Sequence, residues 1–279
     1  MITTPNVKIN LGLNVIRKRE DGFHDLETLF VPYFGISDKL EIVVGDDFSR
    51  TSAAIFGKYA PEMIAQGISE DGKLMITIAR EEGVDWDPLK DLTAKAYQIL
   101  AADFDLPPVK IFLEKTSPVG AGLGGGSSDA AFALKMLDEL CGLGLDEQRL
   151  AEYASRLGSD CAFFIYNRPM IGEGRGEILT EYEIDLDGYD LQVLTPEGVA
   201  VSTKDAYGGI RPHLPEVPLR EALARPVDEW SEVLVNDFEE TVFAKYPELA
   251  AIKRSLYDSG AVYASMSGSG SALFALYGR

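Results

Sequence analysis

Between residues 7 and 15 the chain alternates strictly, with Val7, Ile9, Leu11, Leu13 and Val15 apolar and Lys8, Asn10, Gly12 and Asn14 between them. A period of two is the pattern of a half-buried strand, so this segment predicts one with Lys8 and Asn10 sharing its polar face. A turn signal at Asp21-Gly22 leads to a second run of strand character, "FHDLETLF". Residues 36–80 read as further strands and loops, of which "DKLEIVV" is the clearest.

From Asp91 to Asp103 the spacing of Leu92, Ala96, Ile99 and Leu100 predicts a helix that stops before Pro107-Pro108, and Val109, Ile111 and Leu113 then resume alternation. Ala130, Ala133, Leu134, Leu137 and Cys141 keep helical spacing behind Ser127 or Ser128 as N-cap. A second helix is marked by Asp146 as cap, the stripe Leu150, Tyr153, Ala154 and Leu157, and Gly158 at its end. "CAFFIY" and "LQVLTP" read as strands on either side of a "GEGRGE" turn, and "AVYASMSGSGSALFALY" as two closing strands joined by Gly-Ser-Gly. Strand clusters alternating with a helix pair predict an α+β architecture. Two domains are expected, 1–158 and 159–279, with the last strand pair returning to the core of one half.

The composition narrows the classes. At 46% apolar and 25% charged residues the chain is an ordinary globular one, and its apolar runs are too short to cross a bilayer, so the cytoplasm is the expected location. Two cysteines and two histidines in 279 residues argue against a disulfide framework or a Cys/His zinc site. A formal charge of -19 removes long-range attraction to nucleic acid or anionic membrane. The local exception is Lys8, Arg17, Lys18 and Arg19, readable either as solvated charges or as an anion-facing cluster.

The stretch "PVGAGLGGGSSDAA", residues 118–131, places five glycines in positions 120–126. Glycine gives up packing and costs backbone entropy, so such a run fits a backbone that approaches a phosphate or a dinucleotide, or a flexible turn. A Walker A loop fails because no lysine follows Gly126. Gly120, Gly122 and Gly125 match G-x-G-x-x-G as text, but "TSPV" separates them from the strand and a second helix follows the first, unlike a dinucleotide fold. The protein-kinase loop fails for want of H-R-D and D-F-G. What remains is a loop of peptide N–H groups running into a helix N-terminus, a ready anion site.

These residues resemble the Pro-x-x-x-Gly-Leu-Gly-Gly-Gly-Ser-Ser motif of the GHMP kinases, the superfamily of galactokinase, homoserine kinase and mevalonate kinase. "SMSGSGSALFALY" (265–277) resembles the third motif of the same superfamily, and "LGSDCAFFI" (157–165) falls between the two. "KINLGLNVIRKREDGFHDLETLF" (8–30) is similar to the opening of those members that phosphorylate diphosphocytidyl methylerythritol in non-mevalonate isoprenoid synthesis.

The resemblance implies an α+β two-domain GHMP fold, with an N-terminal domain like domain 2 of ribosomal protein S5 and a ferredoxin-like C-terminal domain. It implies transfer of the γ-phosphoryl group of ATP, with Mg2+, to the 2-hydroxyl of diphosphocytidyl methylerythritol by a monomer or weak homodimer. Asp160, in Gly-Ser-Asp where the family usually has Gly-Ala-Asp, becomes the general base and Lys8 its partner. Lys115, Pro118, Gly120, Gly122, Leu123, Gly124, Gly125, Gly126, Ser127 and Ser128 are implied to bind ATP, while no metal ligands are designated. Asn10, Phe23, His24, Thr203 and Tyr207 are implied to meet the substrate, with the base held between Phe23 and Tyr207. Phe23 replaces the family's tyrosine, keeping a stacking ring but losing its hydroxyl. "KDL" at 90–92 departs from Asp-Asn-Leu, which puts an adenine contact there in doubt. Another small alcohol substrate, a non-catalytic sensor on the same fold and a nicotinamide oxidoreductase are the competing readings.

Overall fold

The structure is a computed structural model that describes every residue except Asp46. The chain runs β1 (Ile2–Thr3), β2 (Asn6–Lys18), β3 (His24–Ser37) and β4 (Lys39–Val44), then the short helix α1 (Ser52–Lys58). β5 (Ile64–Ile68), β6 (Leu74–Ala79), α2 (Leu92–Ala101) and β7 (Val109–Glu114) lead to the glycine stretch, and α3 (Gly125–Cys141), α4 (Glu147–Leu157) and α5 (Cys161–Tyr166) follow it. Next come β8 (Met170–Gly174), β9 (Ile178–Glu181), β10 (Tyr189–Leu194), α6 (Thr203–Gly208), α7 (Leu219–Leu223) and α8 (Trp230–Val233). The chain closes with α9 (Phe238–Lys245), α10 (Pro247–Asp258), β11 (Tyr263–Met266) and β12 (Leu273–Gly278).

These elements gather into two compact units that do not follow one another along the chain. The first holds 1–7, 34–117 and 124–167, and the second 8–33, 118–123 and 168–279. The division therefore differs from a single boundary at 158, because β2, β3 and the glycine stretch each pass from one unit to the other.

In the first unit a five-stranded sheet has the order β1-β4-β7-β6-β5. Only β6 and β7 are parallel, and α2 lies in the connection that a parallel pair requires. Alternation sorts the side chains by face. Ile42, Ile76, Ile78, Ile111 and Leu113 are fully buried, and α2 and α3 pack on β6 and β4. Val43, Ala79 and Phe112 cluster instead with Ile55 and Tyr59, on and just past α1, a helix missing from the sequence expectation for 36–80. Glu41 explains its position: the buried carboxylate accepts hydrogen bonds from Ser49 Oγ and from the Arg50 and Thr51 N–H groups, fixing the chain just before the helix. Asp146 caps α4 as its position predicts, and Asp91 caps α2, each accepting from a first-turn N–H.

The second unit contains two sheets, ordered β2-β3-β8-β9 and β10-β12-β11. The strand expected at 7–15 forms, but it is buried on both faces: Lys8 is 2%, Asn10 3% and Asn14 5% exposed. Its far end enters a core with Val201, Ala206, Phe238, Met266 and Leu273 around Leu13 and Val15.

"CAFFIY" is the helix α5, a correction to the strand expected there. A short, continuously apolar run carries no phase, so period alone cannot separate a buried helix from a buried strand. The "GEGRGE" turn joins β8 and β9, two strands absent from the sequence expectation, rather than "CAFFIY" and "LQVLTP", the latter of which lies on β10. The last strand pair, β11 and β12, packs with β10. Both cysteines are free thiols, and among the described residues no helix is long and apolar enough to cross a membrane.

Ile111 lies on the middle strand of the five-stranded sheet with no exposed surface. Ile111→Ala is expected to lower unfolding free energy by about 3 kcal/mol in urea titration, as cavity-forming core truncations do.

Candidate active site

The glycine stretch is built from two halves, each shaped within its own unit. Gly120, Gly122 and Gly124 have φ of 71°, 78° and 72°, so every second residue takes the left-handed conformation that glycine alone adopts cheaply. Within the second unit the carbonyls of this half are drawn inward. Ala121 O accepts from Ala272 N–H at 3.0 Å, and Leu123 O accepts from Lys8 N–H at 3.0 Å. Gly122 O accepts from Lys8 Nζ at 2.8 Å and Ser267 Oγ at 3.0 Å. A trans peptide sets each N–H opposite the preceding carbonyl, so the N–H groups of Gly122, Leu123 and Gly124 face the other way. The approach tolerates no side chain: a Cβ on Gly122 would stand 2.1 Å from Ser267 O. Gly268 thus does more than close a hairpin, since its turn comes against Gly122, and Asn236 holds that turn by donating to Met266 O at 2.7 Å and Gly268 O at 2.8 Å.

Lys8 is fixed by the same packing. Its ammonium donates to Asn10 Oδ1 at 2.5 Å as well as to Gly122 O, and lies 5.5 Å from the centre of the Phe30 ring. Asn10 was expected to face substrate, but its amide nitrogen donates to Thr28 Oγ1 at 3.0 Å and its oxygen accepts from Lys8. Asn10 therefore orients the lysine.

In the first unit, α3 begins at Gly125 with Gly124 as N-cap, which corrects the expectation of a serine cap; Ser127 and Ser128 lie inside the first turn. No side chain caps this helix, unlike α2 and α4, so its first-turn N–H groups are left for a ligand. Ser128 is fully buried while Ser127 remains half-buried, so only Ser127 keeps access to solvent.

Beneath that turn sits a charged cluster that composition did not announce. Lys115 is 6% exposed, and its ammonium donates to Asp38 Oδ2 at 2.5 Å and Asp129 Oδ2 at 2.6 Å. It was expected near the nucleotide; it does lie beside the glycine stretch, but its charge is turned to the two carboxylates. A Cβ on Gly125 would stand 2.3 Å from Ser117 Oγ and 3.0 Å from Lys115 Nζ, so the cluster dictates glycine at the helix start. The two carboxylates are not equivalent. Asp38 also accepts from Ser117 Oγ and from the Thr116 and Ser117 N–H groups, each at 2.6 Å. Burial pushes its pKa up, but the Lys115 charge and these donors outweigh burial and hold it below the usual carboxylate range. Asp129 has the lysine alone, its Oδ1 lacks any hydrogen bond, and burial drives its pKa well above the ordinary value. The two carboxyl groups around one ammonium thus lean in opposite directions, Asp38 towards the ionised form and Asp129 towards the protonated one.

Asp160 stands between α4 and α5, two helices rather than the helix and strand expected, and its carboxylate does not cap α5. Cys161 beside it is buried, with its thiol pushed up to about 12 chiefly by burial, which leaves it chemically inert.

The remaining predicted contacts belong to the second unit. Tyr207 on α6 stacks on His24 with centroids 4.7 Å apart and meets Phe238 edge-on at 4.7 Å, so it supports the histidine; no base fits between those rings. Burial, then the charge of Lys18, lowers the His24 pKa, keeping the imidazole neutral at pH 7. Phe23 is 54% exposed at the end of the β2–β3 loop, and Thr203 is exposed on the first turn of α6. Pro118 is half-buried and Gly126 lies in the first turn of α3. Asp38, Asp129, Thr28, Asn236 and Ser267 were not anticipated. Asn236, following the apolar "VLV" and opening the polar "ND", carried the best signal.

Peptide N–H groups running into an uncapped helix start are suited to an anion such as phosphate. Models of the "GHMP kinases N terminal domain" and "GHMP kinases C terminal" match residues 91–168 and 219–279. A solved mevalonate kinase has the same fold at 11% identity, TM-score 0.63, covering 99% of this chain and 91% of that one. The chain is 46% identical to 4-diphosphocytidyl-2-C-methyl-D-erythritol kinases of Bacteroides fragilis and Bacteroides thetaiotaomicron, over 99% of its own length and 92% of each relative. A crystal structure of 4-(cytidine 5'-diphospho)-2C-methyl-D-erythritol kinase aligns at TM-score 0.74 and 29% identity, covering 99% of this chain and 90% of that one. The chain belongs to the 4-diphosphocytidyl-2-C-methyl-D-erythritol kinase family.

The unequal pair beneath α3 gives a clear expectation. Asp38→Asn weakens a carboxylate that accepts from four donors and should cost about 3 kcal/mol in urea unfolding at pH 7. Asp129→Asn, at a group with the lysine as its one donor, should cost less. The stability that Asp38 contributes is complete above the ordinary carboxylate pKa and is lost as pH falls through its depressed folded value. Asp129 acts oppositely: stability declines as pH rises from its ordinary value towards the raised folded one. Unfolding free energies from pH 4 to 8 should show the second slope vanish in Asp129→Asn.

Proposed function

We propose that the chain transfers the γ-phosphoryl group of ATP to the 2-hydroxyl of 4-diphosphocytidyl-2-C-methyl-D-erythritol, in the non-mevalonate route to isoprenoid precursors. The observation that carries this is the row of peptide N–H groups entering an uncapped helix, in a chain 46% identical to relatives bearing that kinase name. Backbone amides and the positive end of α3 take the nucleotide phosphates, and no acidic side chain stands in its first turn to repel them. Mg2+ supplies neutralisation of the phosphate charge when bound. Among the described residues no group of three His, Cys, Asp or Glu could hold a metal, which fits an ion that arrives with the nucleotide and takes most of its ligands from phosphate and water. Ser127 offers the protein oxygen within the glycine stretch.

The acceptor hydroxyl attacks the γ-phosphorus, the bond to the bridging oxygen breaks and ADP leaves. Asp160 takes the hydroxyl proton, and Lys8, oriented by Asn10 and the Gly122 carbonyl, neutralises charge at the transferred group. His24, neutral and supported by Tyr207, presents one donor and one acceptor to the cytosine edge, and Phe23 presents a ring for stacking. With a charge of -19 the chain engages this small molecule rather than nucleic acid, and it works in the cytoplasm as a monomer or weak homodimer.

ADP release by the purified protein with ATP and Mg2+ tests the reading, with the cytidylyl alcohol beside mevalonate, homoserine and galactose. Turnover is expected with the first alone. Asp160→Asn should lower kcat about 1000-fold and Lys8→Met about 100-fold, with urea stability within about 1 kcal/mol of wild type for the aspartate variant. Preference for another alcohol would overturn the substrate, and full activity in Asp160→Asn the base.

A further inference from the structure

Phe23 stands where its relatives' motif carries a tyrosine, and the structure supplies a neighbour for its exposed ring. The register Leu26↔Gly174 sets the β8–β9 turn beside the β2–β3 loop, bringing Arg175 to Phe23. The Arg175 guanidinium lies 5.0 Å from the ring centroid. Its backbone N–H donates to Glu177 Oε2 at 2.5 Å and its Nε to Glu177 Oε1 at 3.3 Å, which holds the side chain upright at 40% exposure. The loop is equally braced: Arg19 N–H donates to Phe23 O at 2.8 Å, and Phe23 N–H to Asp21 Oδ1 at 3.1 Å. Arg17 and Arg19 are engaged with Asp25, while Arg175 reaches over the ring from the neighbouring turn.

A half-exposed ring under a guanidinium is ill suited to a plain turn, because both groups give up freedom without burying a core. It is well suited to a planar, acceptor-rich ligand. The guanidinium keeps N–H donors beyond the one given to Glu177, in a flat fork that matches carbonyl and phosphate oxygens. We propose that Arg175 is a specificity-determining residue for the pyrimidine-nucleotide end of the substrate: it clamps Phe23 as a stacking platform and donates to acceptor oxygens of the cytidine diphosphate moiety. It replaces in this chain the polar contribution that a tyrosine hydroxyl would make. This rests on the cytidylyl reading above.

Steady-state kinetics with ATP and diphosphocytidyl methylerythritol test it in Arg175→Ala, Arg175→Lys, Phe23→Ala and the Phe23→Ala/Arg175→Ala double variant. Arg175→Ala should raise KM for the cytidylyl substrate about tenfold, with kcat and KM for ATP within about twofold. The lysine variant, charged but without the planar fork, should recover only part of the loss. The double variant should be little worse than Phe23→Ala, since the two side chains act as one surface. Unchanged KM, an equal fall in kcat, or strictly additive losses would overturn the role. Calorimetric binding of CDP alone, expected to weaken about tenfold in Arg175→Ala, reads the site without turnover. CDP bound equally by wild type and variant overturns the Arg175 proposal, whereas wild type inactive on the cytidylyl alcohol overturns the underlying function and leaves CDP binding to judge Arg175.

Discussion

One ammonium shared between two carboxylates, beneath the first turn of α3, governs how the glycine stretch can be built. Lys115 binds Asp38 and Asp129, and Asp38 gathers the N–H groups of Thr116 and Ser117. The chain just before the loop is thereby tied to the residue at the head of β4 and to the second turn of α3. Burying these charges is costly unless each is satisfied, and the two carboxyl groups differ accordingly: Asp38, with many donors, is held towards the ionised form, while burial pushes Asp129 towards the protonated one. Space follows from charge. With Ser117 and Lys115 directly below, position 125 accepts only glycine, and the helix begins without a side-chain cap.

A separate constraint shapes the other half of the stretch. In the second unit, the closing turn between β11 and β12 comes so near that Gly122 has no room for a Cβ, and three successive carbonyls are consumed by Ala272, Lys8 and Ser267. Fixing the carbonyls inward leaves the following N–H groups outward, so anion binding is a by-product of how the loop packs. Lys8 is caught in the same arrangement. It acquires a defined position from Asn10 and Gly122.

These two constraints explain how a chain of charge -19 handles anionic substrates. Attraction at long range is absent, and the groups suited to anions are peptide N–H groups, a helix end and a few held cations, all of them short-range and directional. The aromatic residues follow the same logic. Tyr207 steadies His24, and Phe23 is steadied by Arg175.

Local periodicity and turn chemistry determined β2, β7, α2 and α4 and the cap Asp146, because each depends on neighbours within a few residues. The family motifs along the chain carried the class, and the relatives bear it out. Tertiary structure decided the rest. "CAFFIY" became helix because a phase-free apolar run takes whichever form its burial site demands, and the polar face of β2 became interior because a second layer covers it. Asp38 and Asp129 gave no signal, since a carboxylate's partner across the fold leaves no local pattern. Asn10 turned from substrate to Lys8, and Arg175 met Phe23, for the same reason: hydrogen-bond and stacking partners are set by strand register and packing, which composition and spacing along one chain do not encode.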